Sequence, residues 1–373
     1  MSQTKVEAPF VEGGGGGGFK NLLINGNMKV SQRSSEKTSH SADSYVTIDR
    51  WKTRVNNQGV FTVSKSTTVP TGEGFTNSQK WDCTTADASP ASTDYIIFQQ
   101  AIEASSLQHL AYGTSGAKST TLSFWVRSNK TGAYTVGLYA EDDARHIESS
   151  YTISSADTWE KKKITFAGDT TGVIDNNNGE GLRLWFWLGA GSNFSSGTHA
   201  TSWASYSQAN VLVDNQVNIA DSTDNEWYIT GVQFEVGDDA SDFEHLPHDV
   251  NLRRCYRYYQ KTGGNAGDQV IIPTTYTVVA NSTTLYGGCS VFVPMRSTIG
   301  LSSDGLEVIY MASSTTNVGA IGAFDNVLGH TDEFHGCSFS TSASSGTPFT
   351  AGYSYGLRTR IGASYYVAQD AEL

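Results

Sequence analysis

Apolar positions along this chain recur at every second residue. TTLSFWVRS (120–128), AYTVGLYA (133–140), WEKKKITFA (159–167), LRLWFWLGA (182–190), EWYITGVQFEVG (226–237), TTLYGGCSVFVP (283–294) and SYYVAQDAEL (364–373) all alternate in this way. That is the period of a strand with one face turned to a core. No long stretch carries apolar residues at the i, i+3, i+4, i+7 spacing of an amphipathic helix. Gly, Asn, Asp and Ser clusters such as GDTTGVIDNNNGEG separate the strands, as hairpin connections do. The pattern predicts an all-β protein built as antiparallel β-sandwiches or jelly rolls.

Two strands carry a second message. Alternation in LRLWFWL sets Leu184, Phe186 and Leu188 on one face and Arg183, Trp185 and Trp187 on the other. In TTLSFWVRS it sets Leu122, Phe124 and Val126 against Ser123, Trp125 and Arg127. The aliphatic faces predict a sandwich core. The opposite faces, with Trp125, Arg127, Arg183, Trp185 and Trp187, are candidates for glycan binding or for a subunit interface, because large aromatic patches on a protein surface mark contact sites. Indoles stack on the C–H faces of sugar rings while Arg and Asp bind hydroxyls. The plainer reading covers both faces, by the partner sheet and by neighbouring subunits.

Composition divides the chain. No tryptophan follows Trp227, and the remainder is rich in Gly, Ser, Thr and Tyr. Two β domains are expected, a Trp-rich jelly roll over 19–248 and a β-sandwich over 249–373, joined through FEHLPHDVNLRRCYRYYQ (243–260). Pro247 is a turn signal there, Asp249 an N-cap for a helical turn over Val250 to Arg254, and Cys255 the start of a strand. Arg253, Arg254 and Arg257 are expected to pair with Asp238, Asp239, Asp242 and Glu244, or with another subunit. Ahead of both domains, Gly13 to Gly18 form a flexible tether. Residues 1–18 thus read as an arm whose apolar Pro9, Phe10 and Val11 anchor it to another chain.

Charge and motifs narrow the function. A net charge of -12 and a pI near 5.1 argue against nucleic acid or an anionic membrane as partner, since neutralising phosphate needs a Lys/Arg excess. No run of about 18 apolar residues exists to span a bilayer, and the first residues lack a signal-peptide h-region. Synthesis without a secretory signal is expected, so the sequons at Asn129, Asn193 and Asn281 carry little weight. Cys83, Cys255, Cys289 and Cys337 lie too far apart for CxxC metal spacing and read as buried free thiols. HExxH, GxSxG and CxxC are absent from the sequence, and the glycine run has neither a preceding strand nor a Walker lysine. His245 and His248 read as polar turn residues around Pro247 rather than a zinc site. Glu141, Asp142 and Asp143, and Asp238, Asp239 and Asp242, could form calcium corners or a glycosidase acid pair; surface acidic loops are the plain reading. No metal, no cofactor and no enzyme activity are expected, calcium being the one ion kept as an alternative.

NLLINGNMKVSQR (21–33), IDRWK (48–52), ITGVQFEVGDDASDFEHLPHDVNLRRCYRYYQK (229–261), VFVPMRSTIGLS (291–302) and DAEL (370–373) follow one another in an order that resembles a recurrent pattern of bacteriophage virion proteins. The resemblance is to tail-fibre and receptor-binding proteins of marine and cyanobacterial phages. It implies a carbohydrate-binding-module-like jelly roll in the region ending GVQFEVG, a homotrimer, and attachment through the N-terminus to other virion proteins of the tail or capsid. It also implies display on the particle exterior after synthesis in the host cytoplasm, and contact with host-surface glycans. The alternatives are a head-fibre or capsid decoration protein without a receptor role, a polysaccharide depolymerase, and a cellular carbohydrate-binding module.

Overall fold

A computed structural model describes residues 19–263 throughout and, beyond them, 295–296, 371–373 and a set of strands between Ile271 and Asp370. The arm with Pro9, Phe10 and Val11, its glycine tether, and the side chains of Cys289 and Cys337 lie outside the described residues. The first unit is built from β1 (Glu36–His40), β2 (Lys52–Asn56), β3 (Val60–Ser66), β4 (Ser78–Thr85), β5 (Tyr95–Glu103) and β6 (Thr120–Ser128). It continues with β7 (Gly132–Ala140), β8 (Arg145–Ile153), β9 (Glu160–Phe166), β10 (Glu180–Ala190), β11 (Ala204–Ser205) and β12 (Glu226–Val236). They form two six-stranded sheets, in the orders β1-β3-β4-β12-β6-β9 and β11-β8-β7-β10-β5-β2, with every ladder antiparallel. The chain is thus an all-β protein whose described first unit is an antiparallel β-sandwich.

The alternation explains the layers. Leu122, Phe124 and Val126 of β6 and Leu182, Leu184, Phe186 and Leu188 of β10 are fully buried in one core between the sheets. Phe124 meets Phe186 edge-to-face at 5.1 Å, and Trp51 stacks on Phe98 at 4.7 Å. Side chains of this size each contribute about 1.5–3 kcal/mol on burial. In GVQFEVG the register of β12 against β6 shifts between Thr230 and Gln233. Gly231 sits in that bulge at φ +62, with the Phe75 ring 2.5 Å from where a Cβ would stand, so glycine alone fits.

The outer face of the second sheet is covered by the chain itself. After β10 the segment 191–212 folds back over it, and Phe194, Val211 and Leu212 pack with Ile97, Trp185 and Trp187 as a second, smaller core.

Helix α1 (His248–Tyr256) and strand β13 (Tyr259–Gly263) form the joint. The helix is longer than the sequence suggests: Pro247, not Asp249, stands at its N-cap, and Cys255 belongs to the helix rather than to a strand. Asn251 and Cys255, four residues apart, are 3% and 1% exposed, and burying that stripe against the sandwich carries the helix a further turn. The arginines follow expectation only in part: Arg254 lies near enough to Glu244 to feel its charge, while Arg257 turns elsewhere. Arg257 donates two hydrogen bonds, 2.8 and 2.9 Å, to the Glu103 carboxylate. Arg254 bonds the Asn21 carbonyl at 3.3 Å and lies over the Phe19 ring. The acidic neighbours are otherwise engaged: Asp239 pairs with Lys163 at 2.6 Å, Asp238 accepts the Ser119 hydroxyl, and Glu244 accepts the backbone N–H groups of Lys20 and Asn21.

Beyond the joint the chain continues as antiparallel strands. They are β14 (Ile271–Ile272), β15 (Thr274–Val279), β16 (Thr284–Ser290), β17 (Gly300–Asp304), β18 (Leu306–Tyr310), β19 (Asn317–Ala320), β20 (Asn326–Leu328), β21 (Gly336–Ser342), β22 (Tyr355–Thr359) and β23 (Tyr366–Asp370). Strand β23 returns to pair with β13, Tyr259 opposite Asp370, so the stretch between them leaves and re-enters at one place. Residues 371–373 then dock on the first unit, where Glu372 meets Arg33 at 3.3 Å and the fully buried Arg50, and Leu373 O accepts the Tyr45 hydroxyl at 2.7 Å.

Candidate functional site

Three rows of residues run across the outer face of the second sheet. Register puts Arg54 of β2, Ile97 of β5, Trp187 of β10 and Thr135 of β7 side by side. The next row is Glu148 of β8, Gly137, Trp185 and Gln99, and the third is His146, Tyr139, Arg183 and Ala101. Arg54, Ile97, Trp187, Trp185, Tyr139 and Arg183 of these rows, with Phe194, Tyr206 and Gln208 from the covering segment and Thr93 and Tyr95 at the mouth of β5, line an open cavity of about 310 Å³. That is at the small end of ligand sites.

Its floor is indole and its walls are phenol. Trp185 and Trp187 are 3% and 1% exposed, so they are not the open platform the alternation suggested; they are sealed at the edges by Tyr95, Phe194, Tyr139 and Tyr206, whose rings lie 5.0–6.5 Å from theirs. Tyr206 is 37% exposed, and its ring packs against Tyr139, His146 and Trp185 at 5.2, 5.2 and 6.3 Å. Among the described residues the buried Trp187 indole N–H has no hydrogen-bond partner.

The charged rim is built from pairs. Arg54 Nε lies 2.7 Å from Asp43 Oδ2 and its Nη2 bonds the Tyr95 hydroxyl at 2.8 Å. Arg183 Nη2 donates to Glu141 at 3.0 Å, and its Nε lies 2.7 Å from Glu180 as an ion pair without hydrogen-bond geometry. Each guanidinium also lies over a wall phenol, Arg54 over Tyr95 at 5.0 Å and Arg183 over Tyr139 at 5.2 Å.

Beneath the floor is a polar pair. Glu148 is buried, accepts the Trp185 indole N–H at 3.1 Å and meets His146 Nδ1 at 3.0 Å. Burial pushes its carboxyl well above the usual range, and burial holds the His146 imidazole down at about 4. To reach Trp185 from β8 the carboxylate crosses over β7 at Gly137, where a Cβ would lie 1.8 Å from Glu148 Oε2.

The residues singled out from the sequence do not form one site. Arg183, Trp185 and Trp187 line this cavity, whereas Trp125 and Arg127 lie on the outward face of the other sheet, across the core. There Arg127 bonds Asp157 at 2.8 Å and lies over Tyr228. Two similar strands carry their aromatic faces outward in opposite directions because each turns its aliphatic face to the same core. Asp142 and Asp143 accept the backbone N–H groups of Asp175 and Val173, at 3.0 and 2.7 Å, and so hold a loop. His245 packs against both Phe75 and Phe243 at ring distances of 5.1 and 4.9 Å, and those two rings also touch each other. Sequence reasoning missed Arg54, Tyr95, Tyr139 and Tyr206. Alternation in AYTVGLYA could have placed Tyr139 on an outward face, though not beside Arg183, which register decides; nothing local marks Tyr206, which arrives from a loop.

Fold and site together define a β-sandwich with an aromatic, arginine-rimmed groove on one face. No protein-family model matches the chain, and no curated protein matches its sequence. Solved structures similar to it include the enzymatically active domain of tailspike protein 4 of bacteriophage CBA120. That match has 12% identity over 58% of this chain, at a TM-score of 0.31, and this chain spans 22% of the tailspike chain. The family 11 carbohydrate-binding module of Clostridium thermocellum, solved with a mixed-linked tetrasaccharide, is similar at 11% identity over 56% of this chain and 98% of its own, with a TM-score of 0.26. TmCBM61, solved with β-1,4-galactotriose, matches at 10% identity over 59% of this chain and all of its own, at a TM-score of 0.28.

Proposed function

We propose that this chain is a non-enzymatic structural protein of a phage virion, a short fibre or receptor-binding appendage that contacts host-surface glycans through the groove of its second sheet. The observation that carries the reading is the groove: an exposed Tyr206 ring beside Tyr139 and Tyr95, over an indole floor, between two arginine–carboxylate pairs. A ring face takes the C–H side of a sugar, and paired guanidinium and carboxylate groups offer donors and acceptors to its hydroxyls. In this reading residues 1–18 attach the protein to the tail or capsid, the chain is a homotrimer, and its place is the particle exterior.

A depolymerase would need a proton-donating carboxyl facing the glycosidic oxygen, with a second carboxylate about 5–9.5 Å away. Glu148 is the group near the groove whose burial favours its proton, yet it is sealed under Trp185 and does not line the cavity. That supports binding without cleavage.

The test is a glycan array of bacterial surface polysaccharides probed with the full chain and with Tyr206→Ala. Signals lost in the variant support the reading. Sustained release of reducing ends from a bound polysaccharide contradicts its non-enzymatic part, and signals unchanged in Tyr206→Ala contradict the groove.

A further inference from the structure

Resting on that reading, we infer that the groove takes an uncharged sugar and discriminates against glycans bearing carboxylate, sulfate or phosphate. The warrant is the pairing of its cations. Arg54 is held by Asp43 and the Tyr95 hydroxyl, Arg183 by Glu141 and Glu180. Lys52, the next cation along the same face, is set beside Gln99 by register and lies over the Tyr45 ring at 5.6 Å, outside the cavity lining. The two guanidinium groups of the rim thus face three carboxylates, Asp43, Glu141 and Glu180.

An anionic substituent entering this groove would have to displace Asp43 or Glu141 from a guanidinium, or sit beside those carboxylates unpaired. Both cost free energy that a hydroxyl does not incur. A neutral sugar meets the opposite situation. A hydroxyl can accept from Arg54 or Arg183 and donate to the carboxylate beside it, leaving each pair intact, while its ring lies on Tyr206. The volume of about 310 Å³ equals that of about ten waters, so a short epitope of a longer chain is read.

The experiment uses the full chain on matched neutral and anionic oligosaccharides, with titrations at about 50 mM and about 500 mM salt. The expected binders are uncharged, and their Kd changes less than about twofold with salt, because no net charge is neutralised. Asp43→Asn and Glu141→Gln each free a guanidinium; each weakens the neutral ligand and gains binding of its carboxylated counterpart. Wild-type binding of anionic glycans that is lost in Tyr206→Ala and falls about tenfold over that salt range overturns this inference and leaves glycan contact at the groove standing. Absence of binding to either set overturns both.

Discussion

Gly137 is the smallest residue on the groove side of β7 and fixes the largest. Its missing side chain lets the Glu148 carboxylate pass over β7 to the Trp185 indole. Gly137→Ala puts a methyl group 1.8 Å from Oε2 and 2.7 Å from the Ile147 carbonyl. Overpacking of this kind costs about 1–3 kcal/mol, so a lowered midpoint in denaturant unfolding is expected, together with weaker glycan binding as Trp185 shifts. A second residue-scale expectation concerns acid. Burial holds His40 at about 4, and its ring packs edge-on against Trp81 with Nε2 unpartnered among the described residues. The unfolded chain protonates near the ordinary histidine value and the folded chain does so only near 4, so stability is full above the ordinary value and is lost as pH falls toward 4. His146 adds to that loss, whereas Asp49, which burial raises to about 6, and Glu148 act in the other direction. His40→Gln removes one contributor. Its melting temperature is expected to fall less than that of the wild type between about pH 7 and about pH 4.5; an unchanged difference would contradict the assignment.

At the scale of elements, the segments NLLINGN, IDRWK, VSQR and DAEL converge on the joint, not on the groove. Asn21 receives the N–H groups of Leu23 and Phe234 and donates to the Val232 carbonyl, stitching NLLINGN to the bulge in β12. Asn25 bonds the Val30 and Asp49 carbonyls and accepts from Asn251 on α1. Arg50 of IDRWK and Arg33 of VSQR both take Glu372 of DAEL, and they lie over Tyr258 and Tyr259 at 3.4 and 3.6 Å. These pieces are distinctive because each polar group is buried and must be satisfied. The strand alternation was legible for the same kind of reason, since two faces with different neighbours select different residues: β6, β7, β10 and β12 fall where the pattern sets them. The groove was legible only in part, because register between β7 and β10 and the return of the 191–212 segment are long-range facts that no local pattern encodes. Removing one partner of a buried ion pair leaves an uncompensated charge and costs about 3–5 kcal/mol. Glu372→Ala is therefore expected to lower global stability by that order, measured in denaturant, and to open the β13–β23 pairing to faster amide exchange. Exchange unchanged in β13 would contradict the lock.

For the whole molecule, the two sheets of the sandwich have different outward faces. On one, which also carries Trp125, Arg127 lies with Tyr228, Lys80 and Glu226 in a network of pairs, and its edge strand β9 exposes Lys161 and Lys163, which discourages strand addition. On the other, a folded-back segment turns two tryptophans into the floor of a groove. A displayed appendage needs a contact face directed away from its attachment, and the proposed function assigns that role to the groove face; purified virions are expected to contain the chain, in multiples of three per attachment site, by quantitative mass spectrometry. The groove itself is tested most directly by titration calorimetry of the full chain against the best-binding oligosaccharide, comparing wild type, Tyr206→Ala and Trp125→Ala. The expected result is a loss of roughly tenfold or more in affinity for Tyr206→Ala and wild-type affinity for Trp125→Ala. Binding abolished by Trp125→Ala and untouched by Tyr206→Ala would place the contact on the opposite face and contradict the account.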